Sequence, residues 1–193
     1  MKATSLVLFF LLNLIFVPGL FAQTTKTYTD KKNGFSFKYP SDFALVFGAK
    51  AKLETAFGDP GAGVKLLGVA ATNIPERYHG SYQFDIWRSS SSKTKCGPPA
   101  AEESVGNIPI EAPETKKTKT IGGHTFYAYT GSEGGMSKSF TLRGYRGVVG
   151  GKCWQIQSVT YQVSAFEDYK MFDEKIIDKA FQKFVVTFAF TKK

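Results

Sequence analysis

Apolar and polar positions alternate along most of the chain after residue 24. Phe35, Phe37 and Tyr39 alternate with Ser36 and Lys38, the period-2 pattern of a strand with one buried face. Asn33-Gly34 just before it is a turn signal, so residues 25–29 are predicted to pair with this strand as a hairpin, which Pro40 ends. Residues 64–72 are apolar on both faces apart from Lys65 and predict a central strand, preceded by a glycine-rich loop over 58–63. Tyr82, Phe84 and Ile86 alternate with Gln83, Asp85 and Trp87 and predict another. Residues 89–119 are polar and carry Pro98, Pro99, Pro109 and Pro113; they are expected to form a long surface excursion with room for one short element.

The later half is more regular. Strands are predicted over 124–130, 138–146 and 153–161, with turns at 131–135 and 147–151, which makes an antiparallel meander. Ser164 and Glu167 fit a capping box, and a helix over 166–184 is expected to bury Tyr169, Phe172, Ile176, Ala180, Phe181 and Phe184. Residues 185–190 would close the chain as a last strand. This is an α+β pattern: one antiparallel sheet of about six or seven strands packed with helices.

The first 22 residues read differently. Lys2 is the only charge before Lys26, and an apolar run from Leu6 to Val17, broken only by Asn13, leads to Pro18, Gly19, Leu20, Phe21 and Ala22. A basic start, a short apolar run and a small residue at a plausible cut predict a signal peptide over 1–22, cleaved near Ala22 or alternatively after Gly19. An uncleaved anchor helix is the competing reading, although the run falls short of the roughly 20 residues a span needs. Residues 23–193 are then expected to be one exported α+β domain, secreted or periplasmic, with no transmembrane segment and monomeric.

Export changes what the charge and the cysteines mean. A net charge of +9 would suggest nucleic acid inside a cell. Outside it, the reading is an anionic surface or an envelope protein as partner and no nucleic acid, beside the plainer reading of a solvated surface. Cys96 and Cys153 are the only two cysteines, so an oxidising compartment leaves one intramolecular pairing, a Cys96–Cys153 disulfide. A redox-active pair is the competing reading, and the absence of a CxxC spacing speaks against it.

The opening Tyr28–Phe43, a hairpin of aromatic strands followed by Tyr-Pro and then Phe, resembles the start of the family of the photosystem II extrinsic subunit P, the PsbP-like proteins. Ile121–Tyr127 and the late helix followed by a strand are similar too. The resemblance implies an α/β/α sandwich, a sheet covered by helices on both sides, and a binding or accessory role without a set of catalytic residues to carry over. The two cysteines and the 89–119 excursion are not features of that pattern.

Candidate chemistry is sparse. The stretch GDPGAGVK (58–65) places Val64 where a phosphate loop requires Lys, so it reads as a turn. His79 and His124 are the only histidines and read as surface or strand-end residues rather than ligands of a metal, which needs three or four. No residue is assigned to catalysis, to a cofactor or to a metal, and the cysteine pair is the one site named. Two functions remain open: a non-catalytic binding or accessory protein, and a small hydrolase with its site in loops 58–63, 89–119 or 131–135.

Overall fold

The structure, a computed structural model, describes residues 24–48, 63–75, 78–89, 96–100, 103–105, 108–111, 117–135, 137–163 and 170–191. The expected hairpin is present as β1 (Thr25–Asp30) and β2 (Phe35–Pro40), paired from Thr25↔Pro40 to Asp30↔Phe35. Its turn is tied by the Asp30 carboxylate, which accepts from the Asn33 backbone N–H (2.8 Å) and side-chain amide (2.7 Å). Asp and Asn favour turns for this reason, because the side chain supplies the bond a ladder would otherwise give. A two-residue strand, Ala189–Phe190, pairs with the other edge of β2, so Phe35, Phe37 and Tyr39 sit in a three-stranded sheet with their rings buried.

The second sheet has nine strands. They are β3 (Phe43–Val46), β4 (Val64–Ala71), β5 (Gly80–Ser89), β6 (Ser104–Val105), β7 (Ile108–Glu111), β8 (Thr118–Ile121), β9 (His124–Gly135), β10 (Lys138–Val149) and β11 (Lys152–Val163). Their order is β3-β4-β5-β11-β10-β9-β7-β6, with β8 also on β9, and the pairings among the described residues are antiparallel. The meander β9–β10–β11 is longer than its sequence pattern: each strand has twelve residues. Residues 131–135, expected as a turn, continue β9 and pair with β10 from Gly131↔Leu142 to Gly135↔Lys138. A continuous ladder outweighs the turn preference of isolated glycines. The 89–119 segment supplies two short strands and the start of a third, more than the one short element expected, and it buries Ile108 and Ile110.

One α-helix occurs among the described residues, α1 (Glu174–Val186). It starts later than expected. Asp173 caps it, its carboxylate accepting from the Lys175 N–H (2.9 Å), while the expected cap at Ser164 and Glu167 lies outside the described residues. The later start shifts the buried stripe by one position: Ile177, Phe181, Phe184 and Val185 are buried, and Ile176 is 67% exposed. Phe172 precedes the helix and stacks on Tyr78 at 5.3 Å. Val185 and Val186 belong to the helix, so the closing strand is only Ala189–Phe190, here β12.

The expected α/β/α sandwich of six or seven strands is therefore corrected. The described chain is mostly β, with twelve strands in two sheets and helix on one face only. Two physical reasons account for it. Prolines through the 89–119 segment favour short extended pieces over a second helix. In addition, only one stretch of the chain has apolar residues at helical spacing.

The main core lies between the nine-stranded sheet on one side and the three-stranded sheet with α1 on the other. Phe84, Ile86, Trp154 and Ile156 of the large sheet meet Phe35, Phe37, Phe181, Phe184 and Phe188. The opposite face of the large sheet is buried too, but it is polar at its centre. Lys65 pairs with Asp85 (2.9 Å), Gln83 donates to Asp85 (2.8 Å), and Tyr129 donates its hydroxyl to Gln157 (2.7 Å). Arg146, 1% exposed, grips Glu103 through its two terminal guanidinium nitrogens (2.5 and 2.8 Å) and donates from Nε to the Gly97 carbonyl (2.7 Å). A small apolar cluster of Ile108, Ile110, Phe140, Leu142 and Val159 completes this face. Cys96 and Cys153 are joined here, their Cα atoms 5.6 Å apart, a separation typical of a disulfide.

Candidate functional site

A cleft of about 470 Å³ opens where the ends of the two sheets meet. Each of its walls is placed by a turn. Asn33 and Gly34 come from the β1–β2 turn, and the Thr191 N–H donates to the Gly34 carbonyl (2.9 Å), fastening the end of β12 beside it. Val149, Gly150 and Lys152 come from the β10–β11 hairpin. Gly150 and Gly151 both have positive φ (57° and 71°), as the favoured two-residue hairpin turn requires. His124 follows a second Gly-Gly turn between β8 and β9. At Gly122 the turn is also a close approach: a Cβ there would sit 2.7 Å from the Phe190 ring and 3.1 Å from its backbone nitrogen. Glycine at this position lets β12 reach the cleft.

The floor and walls are aromatic. Phe190 packs on Trp154 (5.0 Å, edge-on), stacks with Phe126 (6.1 Å) and holds the His124 ring edge-on (5.6 Å). Trp154 is 3% exposed, and its indole N–H has no hydrogen-bond acceptor among the described residues. Arg88 pairs across the sheet with Trp154, and its guanidinium lies over the indole at 5.8 Å. Arg88 and Lys152 bring two cations to the cleft, and none of the described lining residues is acidic.

Two other depressions are less promising. One of about 440 Å³ is lined by Glu111, Arg143 and Glu174, but Arg143 is already bonded to Glu174, which also accepts from Thr141 (3.3 Å). The other, about 170 Å³, is an apolar groove between Tyr78, Tyr82, Phe172 and Ile176.

Of the residues weighed as candidate chemistry in the sequence, His124 alone lines the large cleft. The His79 carbonyl accepts from Val163 (2.7 Å), at the far end of β11. Lys65, the lysine of GDPGAGVK, is committed to Asp85, and residues 58–62 of that stretch lie outside the described chain. Of the three loops considered for a hydrolase, 131–135 is strand. Among the described residues no three His, Cys, Asp or Glu side chains gather as metal ligands, and no helix is long and apolar enough to cross a membrane. Arg88, Lys152, Trp154 and Phe190 were not singled out. The available signal was the pair of Gly-Gly turns at 122–123 and 150–151, each opening a strand whose first residues carry a polar or cationic side chain and an aromatic.

No protein-family model matches the chain, and no curated protein sequence matches it. Solved structures do. The crystal structure of LpqN, involved in cell envelope biogenesis of Mycobacterium tuberculosis, is similar at 12% identity, over 88% of this chain and 91% of that one, with a TM-score of 0.47. The solution structure of cyanobacterial PsbP from Synechocystis is similar at 14% identity, over 92% and 98%, with a TM-score of 0.47. The second belongs to the family that the Tyr28–Phe43 opening resembles.

Proposed function

We propose that this protein is a non-catalytic binding or accessory protein of the periplasm or cell exterior, and that it engages its partner through the cleft between the two sheets. The observation that carries this reading is the cleft itself. Five separate chain segments converge on it, and its volume lies within the roughly 300–1,000 Å³ usual for ligand sites. Its two cations, together with the net charge of +9, favour a partner that is anionic, such as an envelope protein with an acidic surface or another anionic surface. Export is part of the proposal and rests on the residue 1–22 pattern. The Cys96–Cys153 bond is compatible with it, since disulfides persist in oxidising compartments.

The test fills the cleft. Thr191→Trp adds a bulky ring at its edge while keeping the backbone bond to Gly34. In the native host, this variant is expected to fold with an unchanged far-UV spectrum and to fail to replace the wild-type protein. Full replacement by a well-folded Thr191→Trp variant removes the cleft from the function.

A further inference from the structure

We infer that the cleft takes an acidic sugar, a ring-sized body carrying a carboxylate or phosphate; this rests on the cleft reading above and specifies its ligand. Three independent features point to that chemistry. First, Arg88 and Lys152 approach from different strand ends, and neither has a carboxylate partner among the described residues. A guanidinium paired with an ammonium suits an oxyanion, the planar fork giving two parallel bonds and the lysine a point charge. Second, the Trp154 indole N–H is buried and has no acceptor among the described residues. A buried donor without a partner is costly, and Trp154 is a lining residue of the cleft, so a ligand that shifts the indole can give this donor an acceptor. Third, the cleft is far larger than a bare ion needs. Phe190 and Val149 give it apolar surface, and Asn33 and Thr191 add neutral hydrogen-bonding groups, the combination that fits the mixed faces of a sugar ring.

Arg88 is also held in advance. Its place over the Trp154 ring fixes the guanidinium before a ligand arrives, which reduces the ordering needed on binding. The indole N–H and the guanidinium belong to a cross-strand pair in β5 and β11, both strands of the sheet interior. The oxyanion end of the ligand is thus read by rigid elements, whereas Lys152 at the rim follows from the hairpin.

The chain has only two tryptophans, so its ¹H–¹⁵N spectrum holds two indole signals, and Trp87→Phe identifies that of Trp154. The full mature chain is titrated with glucuronate, glucose 6-phosphate, inorganic phosphate and glucose. Glucuronate and glucose 6-phosphate are expected to move the Trp154 indole signal saturably, and glucose to leave it in place. Arg88→Gln and Lys152→Gln are each expected to weaken that response at least tenfold without altering the rest of the spectrum. An equal response to glucose overturns the proposal, as does an anion response that survives both substitutions. Inorganic phosphate binding as tightly as glucose 6-phosphate overturns the sugar. If none of the four moves the signal while Thr191→Trp still abolishes function, the ligand class is wrong and the cleft reading stands. A silent Thr191→Trp removes the cleft reading itself.

Discussion

The two faces of the nine-stranded sheet are buried alike and built from opposite materials. On one, Phe84, Ile86, Trp154 and Ile156 meet the aromatic rings of β2 and α1. On the other, Gln83, Asp85, Gln155, Gln157 and Arg146 are each less than 5% exposed. The first face is held by non-directional burial, which scales with apolar area and tolerates changes of shape. The second is held by pairs with fixed geometry: Lys65 with Asp85, Tyr129 with Gln157, and Arg146 with Glu103 and Gly97. The comparison teaches that depth of burial does not tell which force is at work. On the polar face the cost of a mutation depends on which partner is left behind.

The largest effects should separate these two modes. Phe181→Ala opens a cavity in the apolar core and should cost about 3–5 kcal/mol. Asp85→Ala should cost a similar amount, about 3–5 kcal/mol, by removing the carboxylate that pairs with the buried Lys65 charge. The distinguishing variant removes both partners: Lys65→Met with Asp85→Leu should recover most of the loss, whereas no second substitution by a polar residue rescues Phe181→Ala. Urea unfolding of the four proteins measures this. A double variant no more stable than Asp85→Ala shows that the charge pair is not what Asp85 contributes.

Next in size is the bond that anchors residues 96–100 over the polar face. Closing a loop with a sequence separation of 57 is worth up to about 4 kcal/mol in the chain-entropy account, less any strain. The Cys96→Ser, Cys153→Ser protein should melt lower and keep its far-UV spectrum, since the strands on either side keep their ladders. Because Gly97 and Glu103 hold Arg146, local hydrogen exchange around β10 should rise more than exchange in β2. Equal changes on the two faces would mean that the bond steadies the whole molecule rather than this face.

The smallest effect is a slope. Burial raises the Tyr129 phenol well above its ordinary value, with Arg146 opposing and Asp85 adding to the rise. Tyr28, Tyr82 and Tyr145 are raised as well, chiefly by burial. A raised phenol favours the neutral form, so its contribution is complete below about pH 10 and is lost as pH climbs toward the folded-state value. Tyr129→Phe should lower stability by about 1 kcal/mol at neutral pH, by removing the bond to Gln157, and should flatten the alkaline loss. An unchanged slope between pH 9 and 11 would assign that loss to the other tyrosines.

Much of the apolar face was legible in the sequence and little of the polar one. The alternation of Phe35, Phe37 and Tyr39 behind Asn33-Gly34 located the hairpin, and the spacing of Phe181 and Phe184 located the helix. Its start was misplaced because the residue that caps it is Asp173, and that shift exchanged Ile176 for Ile177 in the buried stripe. In β11 the alternation of Trp154 and Ile156 with Gln155 and Gln157 reads as one wet face, yet both are dry. Polar residues carry no mark of their future partners, which lie on other strands. Strands of two to four residues, such as β6, β7 and β8, are too short to show a period. The cleft was illegible for the same reason: Arg88 and Trp154 are 66 positions apart in sequence and meet only through strand register.

The pairing of β12 with β2 has a consequence in time. The Lys38 N–H donates to the Thr187 hydroxyl across 149 positions, and Thr191 reaches back to Gly34. The hairpin is made early in synthesis, but its third strand does not exist until almost the whole described chain has been made. Contacts of such long separation form slowly, because the intervening chain must first be ordered. The three-stranded sheet is therefore a closing latch, and Phe190 and Thr191 are the parts of the cleft that arrive with it. A chain interrupted before residue 189 can hold most of the large sheet and still lack the Phe190–Thr191 wall of the cleft, so binding that needs this wall waits until residue 191 has been made.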